Sequence, residues 1–262
     1  MQKNLLSQLY ISFIQIKALL NLSWYEVKLK YTRTQLGPFW NVFTILITVS
    51  ILSLVWSTLF KIDLVNFLPR LYIGLIIWNF ISSMITGACS LTTGKYKSLI
   101  NNSPLPISNF IFRELFIGFI NFIHYLPLLI IILYISPYSF TLFGIIKSIC
   151  GLILVFINLF WIIYFVSIVC SRFRDFQPLI ESVMAAGTML TPIVWDKLML
   201  PNPNYAYLNP FTFFVESFRD PLLGLHVDYK VYLILLFFII LGFVLLSLII
   251  KFKGDRVIFW SN

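Results

Sequence analysis

The groups with which this chain could ligate a metal, move a proton or attack a bond are few: ten carboxylates, two histidines and three cysteines in 262 residues. Cys89, Cys150 and Cys170 fall in or beside apolar runs with no CxxC or metal-ligand spacing, so they read as small core residues. His124 and His226 lie in unrelated stretches. His124, three residues before Pro127, reads as a helix-to-helix hydrogen bond. Glu181 reads as an ion-pair partner of Arg172 or Arg174. No pair of carboxylates is spaced for metal-dependent group transfer, so catalysis is a weak reading. Gly87 to Gly94, followed by Lys95, imitates a phosphate loop. Six residues separate its glycines where four are needed, and Tyr96 stands where the loop requires Ser or Thr. Any ATP that drives this protein must be hydrolysed by another chain.

The elements that would position these groups are membrane helices. The chain is 60% hydrophobic and 11% charged, against about 25% charged in soluble domains. Its formal charge of +9 is scattered among apolar stretches and forms no continuous groove or reading helix, which argues against a nucleic-acid partner. The N-terminal residues mix Lys17 and Lys28 with apolar positions and show no signal-peptide pattern.

Apolar runs predict an all-α integral membrane protein whose spans cover residues 39–60, 71–91, 113–135, 142–170, 178–195 and 231–250. Residues 1–35 repeat Leu6, Leu9, Phe13, Ile16, Leu20, Trp24, Val27 and Tyr31 at helical spacing. Polar residues interrupt them too often for a span, so they predict an amphipathic helix on the membrane surface. The segment 95–108 is a polar, Pro-rich loop with a single helical turn before Pro104. The segment 196–230 is too polar to span yet too apolar to be solvated, and predicts two short re-entrant helices, around 211–218 and 221–225. With six spans both ends share one side, and the side bearing 13 of the 19 Lys and Arg residues is predicted to be cytoplasmic. Aromatics make up 18% of the chain; interfacial belts account for many, and others could stack against sugar rings.

Four stretches carry a resemblance. The order Lys30, Tyr31, Arg33, Leu36-Gly37-Pro38, Trp40 resembles the entry motif of ABC type-2 permeases, especially those exporting O-antigen, capsule or teichoic-acid polysaccharide. LINNSPLPISNFIFRE, from Leu99 to Glu114, resembles the family's first cytoplasmic loop, with its short coupling helix. RFRDF, from Arg172 to Phe176, resembles the loop before the fifth span. TPIVW (Thr191 to Trp195) and NPFTFFVESFRDPLLG (Asn209 to Gly224) resemble the end of that span and the periplasmic gate helices. One departure is Asn41-Val42-Phe43-Thr44, where many relatives carry a proline.

The resemblance covers nearly the whole chain. It implies a homodimer in a bacterial inner membrane, joined to two copies of a separate ATPase that binds the ATP and Mg; this chain itself would hold no cofactor. The implied cargo is a polyprenyl-pyrophosphate-linked glycan moving from cytoplasm to periplasm. Its head group would lie at Lys30, Tyr31, Arg33, Gly37, Pro38 and Trp40, although the same bases would also attract anionic membrane lipids. ATPase coupling would use Leu99, Ile100, Asn101, Pro104, Leu105 and Pro106. The cytoplasmic loop would present Arg172, Arg174 and Asp175. The gate would use Trp195, Asn209, Pro210, Phe211, Phe214, Glu216 and Arg219. The competing readings are a drug or simple-lipid exporter of the same family and a membrane-bound glycosyl or phosphoglycosyl transferase.

Overall fold

The computed structural model describes residues 4–173 and 175–253, without the side chains of Thr93, Asn101 and Lys253. Arg174 and Arg256 lie outside the described residues. Eleven α-helices and no strand occur among those described: α1 (Leu5–Ile14), α2 (Ile16–Lys30), α3 (Phe39–Phe60), α4 (Leu64–Ser90), α5 (Lys97–Asn102), α6 (Ile107–Ile123), α7 (Leu126–Ile135), α8 (Leu142–Arg172), α9 (Phe176–Leu190), α10 (Phe211–Leu222) and α11 (Tyr229–Lys253). Five spans are long and apolar enough to cross a membrane: α3, α4, α6 with α7, α8, and α11.

The α3 helix begins where Pro38 leaves the first turn without needing an N–H and stops at Lys61, whose φ is +54°. The α4 helix starts seven residues before its predicted span because Asp63 accepts the Val65 N–H and Pro69 lies inside the helix. The α6 helix likewise starts at Ile107 instead of 113, and Pro127 marks the break to α7. The bases inside these helices have partners: Arg70 bonds Asp196, and Arg113 bonds Glu26. A base neutralised by a distant acid does not interrupt a helix.

One end of the bundle gathers the last turns of three helices. Thr92, just past α4, donates to the Ser167 carbonyl of α8 at 3.3 Å, and Arg172 of α8 lines an apolar groove with Leu248 and Phe252 of α11. Thus α8 and α11 run parallel, and the chain between them must return to the other end. It does so through α9 and the non-helical residues Thr191 to Trp195, arriving at the Arg70–Asp196 pair beside the start of α4. The helical part of this return is 15 residues, about 22 Å at helical rise, so the predicted 178–195 span is only partly helical. Thr191, Ile193 and Val194 are buried, and the Pro192 carbonyl, freed by the break, accepts from Arg219.

The region 196–230 differs from the predicted pair of helices. It holds two 3₁₀ turns, at Lys197–Met199 and Pro203–Leu208, and then the single helix α10. Pro221 lies in the last turn of α10 instead of dividing two helices, and Gly224, at φ +68°, follows it. Every residue of α10 from Thr212 onward is buried. It packs along α8 so closely that a Cβ on Gly151 would come within 2.1 Å of the Ser217 carbonyl oxygen.

Candidate functional site

The first two helices form a pair bent by 71°, held against the first turns of α6. Ser12 donates to Asn109 Oδ1 at 2.7 Å, Asn109 Nδ2 donates to Gln15 Oε1 at 2.6 Å, and Ser23 donates to the Arg113 carbonyl at 3.0 Å. Further along α2, Glu26 enters an ion cluster. Its carboxylate meets Lys95 at 2.8 Å and Arg113 at 2.7 Å and accepts from the Tyr96 hydroxyl at 3.0 Å, while Lys95 also reaches Glu114 at 2.8 Å. Both cations lie 5.0 Å from the centre of the Tyr96 ring.

Burial disfavours the charge on Glu26, yet Lys95 and Arg113 together hold its carboxyl below the usual range. Burial also disfavours the Lys95 ammonium, and Glu114 with Glu26 outweighs it, raising the lysine well above its ordinary value. Lys95 ends a π-helical turn, Leu91–Lys95, that extends α4. This turn, α2 and α6 are therefore joined by charge, and α5 begins two residues after Lys95. On α5 and the loop after it Leu99, Pro104 and Leu105 are exposed, while Ile100 and Pro106 are buried; the Asn101 side chain lies outside the described residues.

Along α6, ten residues separate Glu114 from His124, about 15 Å. There α2 ends and the Gly37-Pro38 turn begins. Tyr31, Gly37 and Pro38 line one cavity of about 480 Å³ together with Trp24, Lys28 and His124. Lys30, Arg33 and Trp40 are exposed outside its lining, and the Lys30 ammonium lies 5.5 Å from the centre of the Tyr31 ring. His124 bonds the Ile120 carbonyl of its own helix at 2.7 Å, so the helix-to-helix bond expected of it is replaced by a local one at the α6–α7 break.

At the opposite end the residues expected to form a gate come together. Lys197 bonds Glu216 and Tyr207 at 2.8 and 2.9 Å, and Tyr207 donates to Glu216 at 2.8 Å. Burial opposes the Lys197 charge, and Glu216 with Tyr207 raises its pKa nonetheless. Asn209 donates to Thr191 at 2.8 Å and accepts the Phe211 N–H at 3.0 Å, opening α10 beside Pro210. Arg219, fully buried, donates to Asp220 at 2.7 Å. Trp195, Tyr205, Asn209 and Phe211 share a cavity of about 500 Å³, and Phe214 stacks on Phe238 at 6.4 Å. Arg172 and Asp175 are exposed at the other end.

The sequence reading missed a cleft of about 540 Å³ between α3, α4 and α9, lined by Thr44, Thr48, Asn79, Ser82, Thr86, Glu181 and Thr188 among apolar neighbours. Glu181 accepts from Gln177 at 3.0 Å and faces this cleft, and Arg174, one of its two expected partners, lies outside the described residues. The signal was present as polar residues three or four apart: 44 and 48, 79 with 82 and 86, and 181 with 188. Thr44, Thr48 and Thr86 donate to carbonyls of their own helices, which leaves their oxygens able to accept. Trp78 is the one aromatic in this lining. Among the described residues, no three His, Cys, Asp or Glu side chains gather as metal ligands.

Residues 17–223 match the ABC-2 type transporter family. The chain belongs to that family. It is also similar to the O-antigen export system permease protein RfbA of Klebsiella pneumoniae, at 25% identity over 241 residues, covering 87% of this chain and 89% of that one. The apolar helices of this ABC-2 chain fit a multi-pass membrane subunit whose ATPase is a separate protein.

Proposed function

We propose that this ABC-2 subunit exports a polyprenyl-pyrophosphate-linked polysaccharide of O-antigen type across a bacterial inner membrane, as a homodimer bound to two copies of an ABC ATPase. The observation that carries the cargo class is the polar cleft between α3, α4 and α9. Hydroxyl and amide groups suit a hydrated glycan better than a drug or simple lipid, and a second copy facing this one would close the cleft into a path. The likeness to an O-antigen export permease supports the same cargo.

In this reading both termini are cytoplasmic, α1 lies at the membrane surface while α2 runs along α6, α9 makes the sixth crossing, and α10 is a re-entrant gate helix. The ATPase docks on the exposed apolar Leu99 and Leu105. Movement of α5 is delivered through Lys95 and Tyr96 to Glu26, and along α2 to the Tyr31–Pro38 turn where the carrier head group arrives. ATP shifts the conformation to the extent that the ATPase binds the two states with different affinity.

The test is co-purification with the ATPase and its ATP turnover in lipid with added polyprenyl-pyrophosphate glycan. Two copies of each subunit and glycan-sensitive turnover are expected. A chain that retains no ATPase overturns the reading and favours a carrier-dependent transferase. Within the same assay, Arg33→Ala is expected to lower export while assembly persists; unchanged export removes Arg33 from head-group binding.

A further inference from the structure

Two of the three cysteines meet across a pair of helices. Cys89 lies in the last turn of α4 and Cys170 in the last turn of α8, and both are buried. Their side chains are hydrogen-bonded to each other, so the two sulfurs are in contact. Cys89 also bonds the Ile85 carbonyl one turn back, at 3.9 Å. Close by, Thr92 donates to the Ser167 carbonyl at 3.3 Å, a second tie between the same two helices. The third cysteine, Cys150, is exposed and stands about 30 Å from Cys170 along α8.

A buried thiol is ordinarily inert, so the pair reacts only if a small reagent has a route to it. The polar cleft supplies that route. Asn79, Ser82 and Thr86 of its lining step along α4 by three and four, and Cys89 continues the stripe by three. Glu181, on the α9 wall of the cleft, lies close enough to act electrostatically on the Cys89 sulfur. The face of α4 that meets the cleft therefore ends at the thiol pair. What lies beyond gives the pair its leverage. The π-helical turn Leu91–Lys95 starts two residues after Cys89 and carries Lys95 to Glu26 and Glu114. Such turns are common at functional sites, because the helix can change its winding there.

We propose that Cys89 and Cys170 form a reversible oxidation site, at which hydrogen peroxide entering the cleft joins α4 to α8 by a disulfide and arrests the turn at Leu91–Lys95. One sulfur attacks the peroxide: an S–O bond forms, the O–O bond breaks, and water leaves with the thiol proton, giving a sulfenic acid. The other sulfur, already in contact, displaces that hydroxyl: the S–S bond forms, the S–O bond breaks, and a second water leaves with the second proton. The two sulfurs lose two electrons and the peroxide gains them. In a reducing compartment the pair rests as thiols, and a dithiol reverses the bond by exchange. The bond itself stands apart from the export reading above; that its arrest slows ATP turnover rests on that reading.

The experiment treats the full-length permease in detergent, in a Cys150→Ala background, with hydrogen peroxide. Thiols are counted by maleimide labelling after denaturation, and linked peptides are identified by mass. Loss of both thiols to a single Cys89–Cys170 link, reversed by dithiothreitol, is expected. The melting temperature should rise by several degrees, because the bond closes a loop of about 80 residues in the unfolded chain. Cys89→Ser and Cys170→Ser should form no link and show no rise. Thiols that survive the peroxide, or sulfinic acids in place of the link, would overturn the proposal. The complex with the ATPase is then assayed in lipid with lipid-linked glycan. Turnover should fall severalfold on oxidation and recover with dithiothreitol, while both serine variants, which report any oxidation of the ATPase itself, keep theirs. Unchanged turnover with the link formed would overturn the arrest. A reduced complex without glycan-sensitive turnover sinks the export reading instead, and the link and the melting shift then decide the site alone.

Discussion

Glu26 is the residue on which the contacts between α2, α6 and the turn after α4 converge, because one carboxylate serves Lys95, Arg113 and Tyr96 on two other elements. Glu26→Gln is expected to cost about 1.5–3 kcal/mol, the range for hydrogen bonds to charged groups, and to lower the melting temperature in detergent by several degrees. The pH dependence has a definite sign. A carboxyl held below its ordinary 4.5 contributes fully above that value, and the contribution is lost as pH falls through its lower folded value. A lysine raised above its ordinary 10.5 contributes fully below 10.5 and loses the contribution as pH rises through its folded value. The gap between wild type and Glu26→Gln should therefore be constant from about pH 6 to 9, close in acid as Glu26 protonates, and narrow again in strong alkali where Lys95 loses its charge; a gap that changes across neutral pH would contradict the ion cluster. That Tyr31, Gly37 and Pro38 lie at one turn was legible from their motif, which is local. Lys28 and His124 were not, because their proximity depends on α2 lying along α6, which no spacing in the sequence encodes.

At the scale of elements, α3 was legible to the residue, since Pro38 and Lys61 mark its ends in the sequence itself. The starts of α4 and α6 were hidden by Arg70 and Arg113, whose partners lie 126 and 87 positions away along the chain. The close contact of α8 with α10 was equally hidden, because a glycine in an apolar run signals nothing until the facing backbone is known. Gly151→Ala places its Cβ 2.1 Å from a main-chain oxygen of buried α10, which cannot yield as a flexible side chain would. A loss of about 1–3 kcal/mol or more is expected from such overpacking, read as thermal unfolding in detergent. Gly94→Ala is the control, since its Cβ meets only Ser90 Cβ at 3.8 Å. Equal stability of the two variants would mean that α8 and α10 are not packed this closely.

At the scale of the molecule, the polar cleft lies between α3, α4 and α9, with α3 and α9 each presenting exposed apolar side chains such as Ile47, Ile51, Leu179 and Val183. The all-α membrane class was legible from composition alone, because it depends only on how much charge the chain can afford inside lipid. The cleft between spans depended on their relative rotation and was not legible as an assembled feature. The shortness of α9 has a consequence beyond topology. A 15-residue helix is about 8 Å shorter than a 30 Å hydrocarbon core, so if α9 makes the proposed sixth crossing, a bilayer beside it must thin or the helix must pull its neighbours inward. Such hydrophobic mismatch carries a fraction of a kcal/mol per Å, which is enough to bias a transporter between nearly balanced states. ATP turnover of the reconstituted complex is therefore expected to vary with phospholipid acyl length across roughly 14 to 20 carbons and to be fastest in the thinner membranes; a flat profile would show that α9 does not face lipid. Membrane thickness would then act on export as an effector does, with no binding site at all.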